Sequence, residues 1–213
     1  MTLVGRAWSV LRASGRTALA RAWHAAQRWL DLALHPVRRQ RALARLAARP
    51  APSTVLMVCH GNICRSPYAE VALKAALPDP FRERIRVVSA GFLAGERPAP
   101  AVAIKVAARR GRDLRSHRSR PLDADLVRGA DLVVVMEPRQ ARALKWFYGV
   151  DARAVLVLGD LDASAASGRA IQDPIFQPAE VFEECYARID RCVQVLAEAI
   201  TATAARRGQR ERP

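Results

Sequence analysis

The sequence predicts an α/β fold in which a four-stranded parallel sheet carries helices on both faces. Three observations lead to this prediction. Four short segments are continuously apolar, as strands buried on both faces are. Segments with helical periodicity alternate with them, and this alternation favours a parallel sheet. The 213 residues are 51% hydrophobic, which is enough to bury a core and excludes disorder throughout the chain.

The elements follow one another in a regular order after residue 53. The predicted strands are Thr54–Cys59, Ile85–Ser89, Asp131–Met136 and Ala154–Leu158. The predicted helices are Pro67–Leu77, Pro98–Arg110, Pro138–Phe147 and a long terminal helix from Pro178 to about Thr203. In such folds ligands bind at the carboxyl ends of the strands. The loop after Cys59 is therefore where we expect the functional site.

Residues 1–52 are predicted to be a basic helical extension with a Pro-rich linker. A helix from Thr17 to His35 would end before Pro36. Its apolar arc contains Leu19, Ala22, Trp23, Ala26, Trp29, Leu30, Ala33 and Leu34. The opposite face contains Arg21, His24, Gln27, Arg28, Asp31 and His35. Three interpretations stay open: packing on the domain or a second subunit, docking on an acidic membrane, and an organellar transit peptide.

The net charge of +15 is concentrated at the two ends of the chain. The first 50 residues carry ten arginines and one aspartate, and residues 204–213 form a predicted basic disordered tail. The predicted domain, residues 53–203, has only a small surplus, so we expect no specific nucleic-acid binding. Four cysteines, no apolar run of about 20 residues and no secretory h-region predict a cytoplasmic protein. Residues 1–50 could add peripheral contact with the membrane.

The loop after the first strand has the pattern of a thiol-based phosphate site. It contains Cys59, His60, Gly61, Asn62, Ile63, Cys64, Arg65 and Ser66. A thiol followed six residues later by arginine is weak evidence alone, since Cys185 and Arg191 share that spacing inside a helix. Only Cys59 lies between a strand and a helix with glycine in the turn. This context predicts the site.

The chemistry expected of this loop depends on its backbone as well as its side chains. Gly61 and Asn62 can take positive φ, so successive N–H groups can surround an oxyanion near a helix N-terminus. The same field favours the thiolate of Cys59, which is the nucleophilic form. Arg65 offers a planar fork for two phosphoryl oxygens, and Ser66 can hydrogen-bond the thiolate. The expected phosphate-binding residues are His60, Gly61, Asn62, Ile63, Cys64, Arg65 and Ser66.

Several motifs recur in the order and at the intervals of a known family. They are the run from Val55 to Glu70, Ser89-Ala90-Gly91, the run from Ser116 to Arg120, the run from Asp131 to Glu137, and Asp173-Pro174. In these motifs the chain resembles the low-molecular-weight protein tyrosine phosphatases of bacteria, over about residues 53 to 203. The resemblance implies hydrolysis of phosphotyrosine esters through a cysteinyl-phosphate, without a metal or other cofactor.

The resemblance also implies roles for individual residues. Cys59 would attack phosphorus, Arg65 would hold the phosphoryl oxygens, and Asp173 would protonate the leaving phenolate and then activate water. Asn62, Ser89 and His117 would support the loop by hydrogen bonds. His60, Ile175 and Phe176 would form the wall of the substrate slot, although the family usually has an aromatic residue at the position of Ile175.

The implied partner is a phosphotyrosine protein. Two short motifs, Glu96-Arg97-Pro98 and Met136-Glu137-Pro138-Arg139, look most like members that act beside tyrosine kinases of polysaccharide export. A bacterial kinase of that kind is therefore the expected substrate.

Other functions remain as alternatives. A thiol-dependent arsenate reductase would need two further cysteines after the second strand, but residues 86–130 contain none. Cys185 and Cys192 are expected on the inward face of the last helix as small hydrophobes. An inactive phosphoprotein-binding module would not need Cys59, Arg65 and Asp173 together. Cys64 is a candidate redox partner for Cys59, and four scattered histidines predict no metal site.

Overall fold

The computed structural model describes residues 26, 29–93, 95–164 and 168–210. The predicted fold class is confirmed. Strands β1 (Thr54–Cys59), β2 (Arg86–Gly91), β3 (Leu132–Val135) and β4 (Val155–Val157) form one sheet in the order β2-β1-β3-β4. All three strand pairs are parallel, so the carboxyl ends of the strands lie at one edge of the sheet.

Seven α-helices are found among the described residues. They are α1 (residues 29–47), α2 (Arg65–Ala76), α3 (Asp79–Arg84), α4 (Ala101–Arg109), α5 (Ala124–Arg128), α6 (Pro138–Tyr148) and α7 (Ala179–Arg210). The short helices α3 and α5 are not predicted from the sequence, because five or six residues carry too little periodicity. Helix α7 continues past Thr203, so residues 204–210, predicted as a disordered tail, are helical.

The sheet is covered on both faces because its strand residues are apolar in both directions. Val55 and Met57 of β1 belong to the core cluster that includes residues of α2, α4 and α7. Leu56 and Val58 point to the opposite cluster, which includes residues of α5 and α6. This alternation follows from the two-residue period of a strand. It explains why β1 is apolar from Val55 onwards, where every residue is buried.

Helix α1 packs along β4, the strand at one edge of the sheet. His35 Nε2 hydrogen-bonds to the carbonyl oxygen of Asp162 at 2.7 Å, and Arg39 Nε donates to the carbonyl of Leu161 at 3.2 Å. Ala42 and Leu46 are buried against the core. An exposed edge strand invites pairing with other chains, so α1 protects this edge.

The predicted end of the helix in the extension is wrong. The helix does not end at His35 but continues through Pro36, because buried residues on both sides of the proline attach it to the domain. The packed face is also the one predicted to be polar: His35 is buried, whereas Trp29 is 73% and Leu30 is 60% exposed. At 100° per residue His35 shares its side with Ala42 and Leu46, and these decide the orientation.

Three residues of the predicted apolar arc, Leu19, Ala22 and Trp23, lie outside the described residues. Within the described part of the chain, no helix combines the length and the apolar character needed to cross a membrane.

Candidate active site

The loop that joins β1 to α2 surrounds the sulfur of Cys59. Cys59 ends β1 and Arg65 begins α2, so the thiol lies at the carboxyl edge of the sheet. Its Sγ accepts hydrogen bonds from the backbone N–H of Asn62 at 3.2 Å and from the hydroxyl of Ser66 at 3.0 Å. Two donors directed at one sulfur stabilise its anionic form.

Asn62 holds the loop in shape through all of its polar groups. Its backbone is left-handed, with φ of 50°, a conformation that costs free energy for a residue other than glycine. Its Nδ2 donates to Ser66 Oγ and Ser89 Oγ, both at 2.9 Å, and its Oδ1 accepts from the N–H of Arg120 at 2.9 Å. His117 Nε2 hydrogen-bonds to its carbonyl at 2.7 Å. The structure thus brings together Asn62, Ser89 and His117, as expected for supports of the loop.

The loop also packs very closely against the end of β2. A Cβ atom at Gly91 would lie 2.8 Å from the backbone nitrogen of Asn62 and 2.9 Å from the carbonyl oxygen of His60. Only glycine fits such an approach of two backbones. At the rim, Arg97 Nη2 donates to the carbonyl of Gly61 at 3.0 Å.

Arg65 is fully buried and lies between two carboxylates. Its Nη1 donates to Glu137 Oε1 at 2.6 Å and to the carbonyl of Ile171 at 3.0 Å, and its Nη2 forms an ion pair with Asp173 Oδ2. Its Nε is buried and has no hydrogen-bond partner among the described residues. A buried guanidinium with a donor to spare is suited to bind an oxyanion.

Electrostatics keep Arg65 charged despite its burial. Burial by itself would lower the pKa of Arg65, but the negative charges of Cys59, Asp173 and Glu137 outweigh it and raise the pKa above its ordinary value. The positive charge opposite Cys59 is therefore permanent at neutral pH.

Glu137 is a site residue that the sequence analysis missed. It is the N-cap of α6, where it forms a capping box with Gln140, and it also forms an ion pair with Arg139 at 2.6 Å. Burial opposes its ionisation, but hydrogen bonds from Arg139 and Arg65 prevail and lower the pKa of Glu137. The sequence signal for this residue is that Glu137 is the first polar residue after β3, one position beyond Met136, at the same sheet edge as Cys59.

Asp173 lies in the segment that leads into α7. Its Oδ1 accepts from the N–H of Ile175 at 3.3 Å, and its side chain is 30% exposed. Of the residues predicted to form the substrate wall, Ile175 packs partly against the core, whereas His60 and Phe176 are exposed. Phe176 is 95% exposed and has a φ of 62°, so the chain turns sharply at this aromatic ring.

The other cysteines are buried thiols. Burial raises the pKa of Cys185 to about 12 and of Cys192 to about 12, and Cys185 Sγ donates to the carbonyl of Gln172 at 3.5 Å. Burial also raises the pKa of Cys64, with the Cys59 and Asp173 charges adding to the effect. Protonated, buried thiols do not favour a reductase that passes a disulfide between mobile cysteines.

The arrangement as a whole can bind a tetrahedral oxyanion next to a nucleophile. A thiol sulfur that accepts two hydrogen bonds, a permanent cation and a carboxyl group come from Cys59, Arg65 and Asp173 of one site. In the part of the chain that the structure describes, no group of three His, Cys, Asp or Glu side chains is placed to hold a metal ion.

Comparison with known proteins gives a consistent match over the domain. A family model described as low molecular weight phosphotyrosine protein phosphatase matches residues 54–206. The chain is 36% identical over 151 residues to a probable low molecular weight protein-tyrosine-phosphatase, EpsP, of Ralstonia solanacearum. This similarity covers 70% of the chain and 97% of EpsP. Helix α1 precedes residue 54, where the family-model match begins.

Solved structures show the same fold. The tyrosine phosphatase amsI of Erwinia amylovora superposes with a TM-score of 0.62 and 30% identity, covering 69% of this chain and 92% of amsI. Wzb of Vibrio vulnificus in complex with benzylphosphonate superposes with a TM-score of 0.61 and 31% identity, covering 68% of this chain and 97% of Wzb.

Proposed function

The chain belongs to the low-molecular-weight phosphotyrosine protein phosphatase family and is a protein-tyrosine phosphatase, and on this premise we propose that Cys59, Arg65 and Asp173 perform its chemistry. The observation that carries the proposal is the position of Cys59 Sγ, which accepts from Asn62 N–H and Ser66 Oγ beside a loop anchored on Arg65. A stabilised thiolate is the nucleophile that phosphoryl transfer from an aryl ester requires.

In the first step the thiolate of Cys59 attacks phosphorus in line with the aryl oxygen. The sulfur–phosphorus bond forms while the phosphorus–oxygen bond to the aryl group breaks. Arg65 and the loop N–H groups bind the three other phosphoryl oxygens, where charge is spread in the transition state. Asp173, in its protonated form, gives its proton to the departing phenolate, which is a better leaving group when neutralised.

In the second step a water molecule hydrolyses the cysteinyl-phosphate. Asp173, now a carboxylate, takes a proton from the water as its oxygen attacks phosphorus. The sulfur leaves as a thiolate, and the hydrogen bond from Ser66 Oγ, at 3.0 Å, stabilises its returning charge. Inorganic phosphate is released and the loop returns to its starting state.

Glu137 acts in this scheme as a positioning residue. It does not touch Cys59 but accepts from Arg65 Nη1 at 2.6 Å, which fixes one side of the guanidinium plane. When a phosphoryl oxygen replaces Asp173 as the acceptor of Arg65 Nη2, the Asp173 side chain can move to the leaving oxygen and protonate it. Glu137 keeps Arg65 in place during this exchange.

The test of this function is hydrolysis of p-nitrophenyl phosphate by the full chain in the presence of a chelator. We expect turnover to persist with the chelator, to disappear in Cys59→Ser, and to fall by about 10² to 10³ in Arg65→Ala. Full activity of Cys59→Ser would exclude the mechanism. Binding of a phosphotyrosine peptide without turnover by the parent chain would instead identify an inactive binding module.

The substrate is a phosphotyrosine protein, and we place it more narrowly as a tyrosine kinase of polysaccharide export. The support is the resemblance of Glu96-Arg97-Pro98 and Met136-Glu137-Pro138-Arg139 to such phosphatases. Arg97 contacts the loop through the Gly61 carbonyl, so this motif lies at the rim where a protein substrate would dock. We expect kcat/KM at least about tenfold higher on a phosphorylated kinase of this class than on a free phosphotyrosine peptide. Equal values would reject the narrower assignment.

The exposed face of α1 supports peripheral attachment to an acidic membrane. Trp29, Leu30, Leu34 and Val37 are exposed on the side of α1 that faces away from the domain. Arg41 and Arg45 follow on the same helix and are also exposed. Aromatic and aliphatic side chains beside arginines are the pattern of a helix that lies in a membrane interface.

This attachment is tested by sedimentation of the full chain with phosphatidylglycerol vesicles at low salt. Trp29→Ser with Leu34→Ser should abolish binding without unfolding the domain, because both side chains face solvent. Trp146→Ser is the matched control, since Trp146 is 84% exposed on α6. Equal loss in both variants, or no binding by the parent chain, would refute membrane attachment through α1.

A further inference from the structure

A groove lies between α1, the edge strand β4 and α6. Its volume is about 410 Å³, within the range of pockets that hold small molecules. One wall is α1 and the opposite wall is α6, and its floor includes Leu46, Leu132, Leu156 and Val157. The residues around Cys59 do not line it, so it is separate from the catalytic loop.

The lining of the groove is strongly and unevenly charged. Eight Arg or Lys side chains among the described residues line it, with a single carboxylate, Asp160. That carboxylate is already occupied, because both of its oxygens accept from Arg169 at 2.8 Å. The groove therefore contains an excess of positive charge that no protein group inside it neutralises.

Four of these cations come from the two facing walls. Arg41 and Arg45 belong to α1, and Arg142 and Lys145 belong to α6; all four are exposed and form no ion pair with a described residue. Like charges on two walls repel each other and oppose the packing of α1. A bound anion would remove this repulsion and join the two walls.

The family activity does not account for this groove. The family model matches residues 54–206, whereas the wall with Arg41 and Arg45 is contributed by α1 before that range. The groove exists only because the extension packs on the domain through His35, Ala42 and Leu46.

We propose that this groove is a second anion-binding site, which takes a phosphoryl-bearing small molecule with an apolar part. Guanidinium groups match phosphoryl oxygens in pairs, and the two walls offer them from opposite sides. The lining also includes Ala141 and Val155, which are only partly buried, and the aliphatic stems of the arginines, so an apolar part of the ligand would cover surface that inorganic phosphate leaves in water. A soluble nucleotide and the head of an anionic lipid share this chemistry.

The experiment is calorimetric titration of the full chain with four probes: pyrophosphate, ATP, monomeric dioctanoyl phosphatidic acid and a hexaglutamate peptide. The groove variant is Arg41→Gln with Arg142→Gln, which removes one cation from each wall. The control is Arg84→Gln with Arg86→Gln, which removes the same charge from exposed residues at the end of α3 and the start of β2, the opposite edge strand.

We expect ATP or dioctanoyl phosphatidic acid to bind the parent chain and the control alike, and the groove variant about tenfold or more weakly. The probe that binds identifies the source of the ligand. Turnover of p-nitrophenyl phosphate should be unchanged in both variants, because neither pair contacts the catalytic loop.

Four results would overturn the proposal. Equal weakening in the groove variant and the control would mean diffuse attraction by net charge. Pyrophosphate binding as tightly as the organic probes would remove the apolar requirement. Tighter binding of a hexaglutamate peptide would identify an acidic polypeptide as the occupant. Binding of neither organic probe below millimolar concentration would leave no site at all.

Discussion

Replacing Asp173 with asparagine separates the acid from the rest of the machinery, because the structure shows what the substitution leaves intact. Arg65 keeps its hydrogen bonds to Glu137 and to the carbonyl of Ile171, so no buried charge is left without a partner. The Asp173 side chain is 30% exposed but Arg65 is fully buried, and because an asparagine oxygen can still accept from Arg65 Nη2, we expect the substitution to cost about 1–2 kcal/mol of unfolding free energy. The effect of Asp173→Asn should therefore be catalytic.

The size of the catalytic effect should depend on the leaving group. General acid catalysis contributes about 10² to 10⁴ in rate, and the contribution is largest where the leaving oxygen is most basic. We expect kcat on phenyl phosphate to fall by that factor, and kcat on p-nitrophenyl phosphate by about tenfold, because nitrophenolate leaves without much protonation.

Glu137→Gln is the matched comparison for this assay. Glu137 also contacts Arg65, but it acts on the cation that binds the phosphoryl oxygens of every substrate. It should slow phenyl and p-nitrophenyl phosphate by a similar factor. If Asp173→Asn also slows both substrates equally, another group is the acid and the reasoning from the Arg65–Asp173 pair is refuted.

Three further outcomes follow from the structure. The Asp162 side chain is fully buried and forms ion pairs with Arg188 and Arg191, so Asp162→Asn should lower the unfolding free energy by about 3–5 kcal/mol at pH 7. Burial opposes ionisation of Asp162, but hydrogen bonds lower its pKa, so its carboxylate stabilises the folded protein at pH values above its ordinary pKa of 3.8. This stabilisation is lost as the pH falls through the pKa of the folded state. Urea unfolding at pH 7 and pH 3 measures it, and an equal loss of unfolding free energy in Asp162→Asn at both pH values would contradict the prediction. After treatment with peroxide, Cys64→Ser should no longer regain phosphatase activity when a dithiol is added, and unchanged recovery would reject a disulfide between Cys59 and Cys64. In the parent chain we expect this disulfide to form slowly, because burial keeps the Cys64 thiol protonated. Deleting residues 1–50 should preserve turnover of p-nitrophenyl phosphate, lower Tm and promote association of chains along β4. Size-exclusion chromatography measures the association. A truncated protein that stays monomeric with unchanged Tm would show that α1 does not protect the edge strand.

The fold and the loop after β1 could be predicted from the sequence because the residues that indicate them are neighbours in the chain. Strand β1 coincides with the predicted Thr54–Cys59, and every other predicted strand overlaps an observed one. A continuous apolar run between polar turns needs no partner to be recognised as a buried strand. The same holds for the residues from Cys59 to Ser66, which are neighbours in the chain and therefore in space.

The orientation of α1 was not readable from its own periodicity. Trp29 and Leu30 dominate the apolar arc, yet they face solvent, whereas His35 is buried. Hydrophobicity alone favours burying the tryptophan, but the helix docks where Ala42 and Leu46 fit the edge of the sheet and where His35 meets a backbone carbonyl. Shape and hydrogen bonding across the interface decided between the two faces.

The sheet, the strand–loop–helix context and the thiol within it could be predicted from the sequence, because each is encoded by residues close together in the chain. The surroundings of Arg65 could not, because they depend on how distant elements pack. Glu137 is 72 residues from Arg65 and Asp173 is 108 residues away, and their meeting depends on parallel strands that end at one edge. The sequence shows no periodic pattern for a long-range contact of this kind, because the contact forms only when separate elements pack together. A buried cation is then stable only if carboxylates from those elements neutralise it.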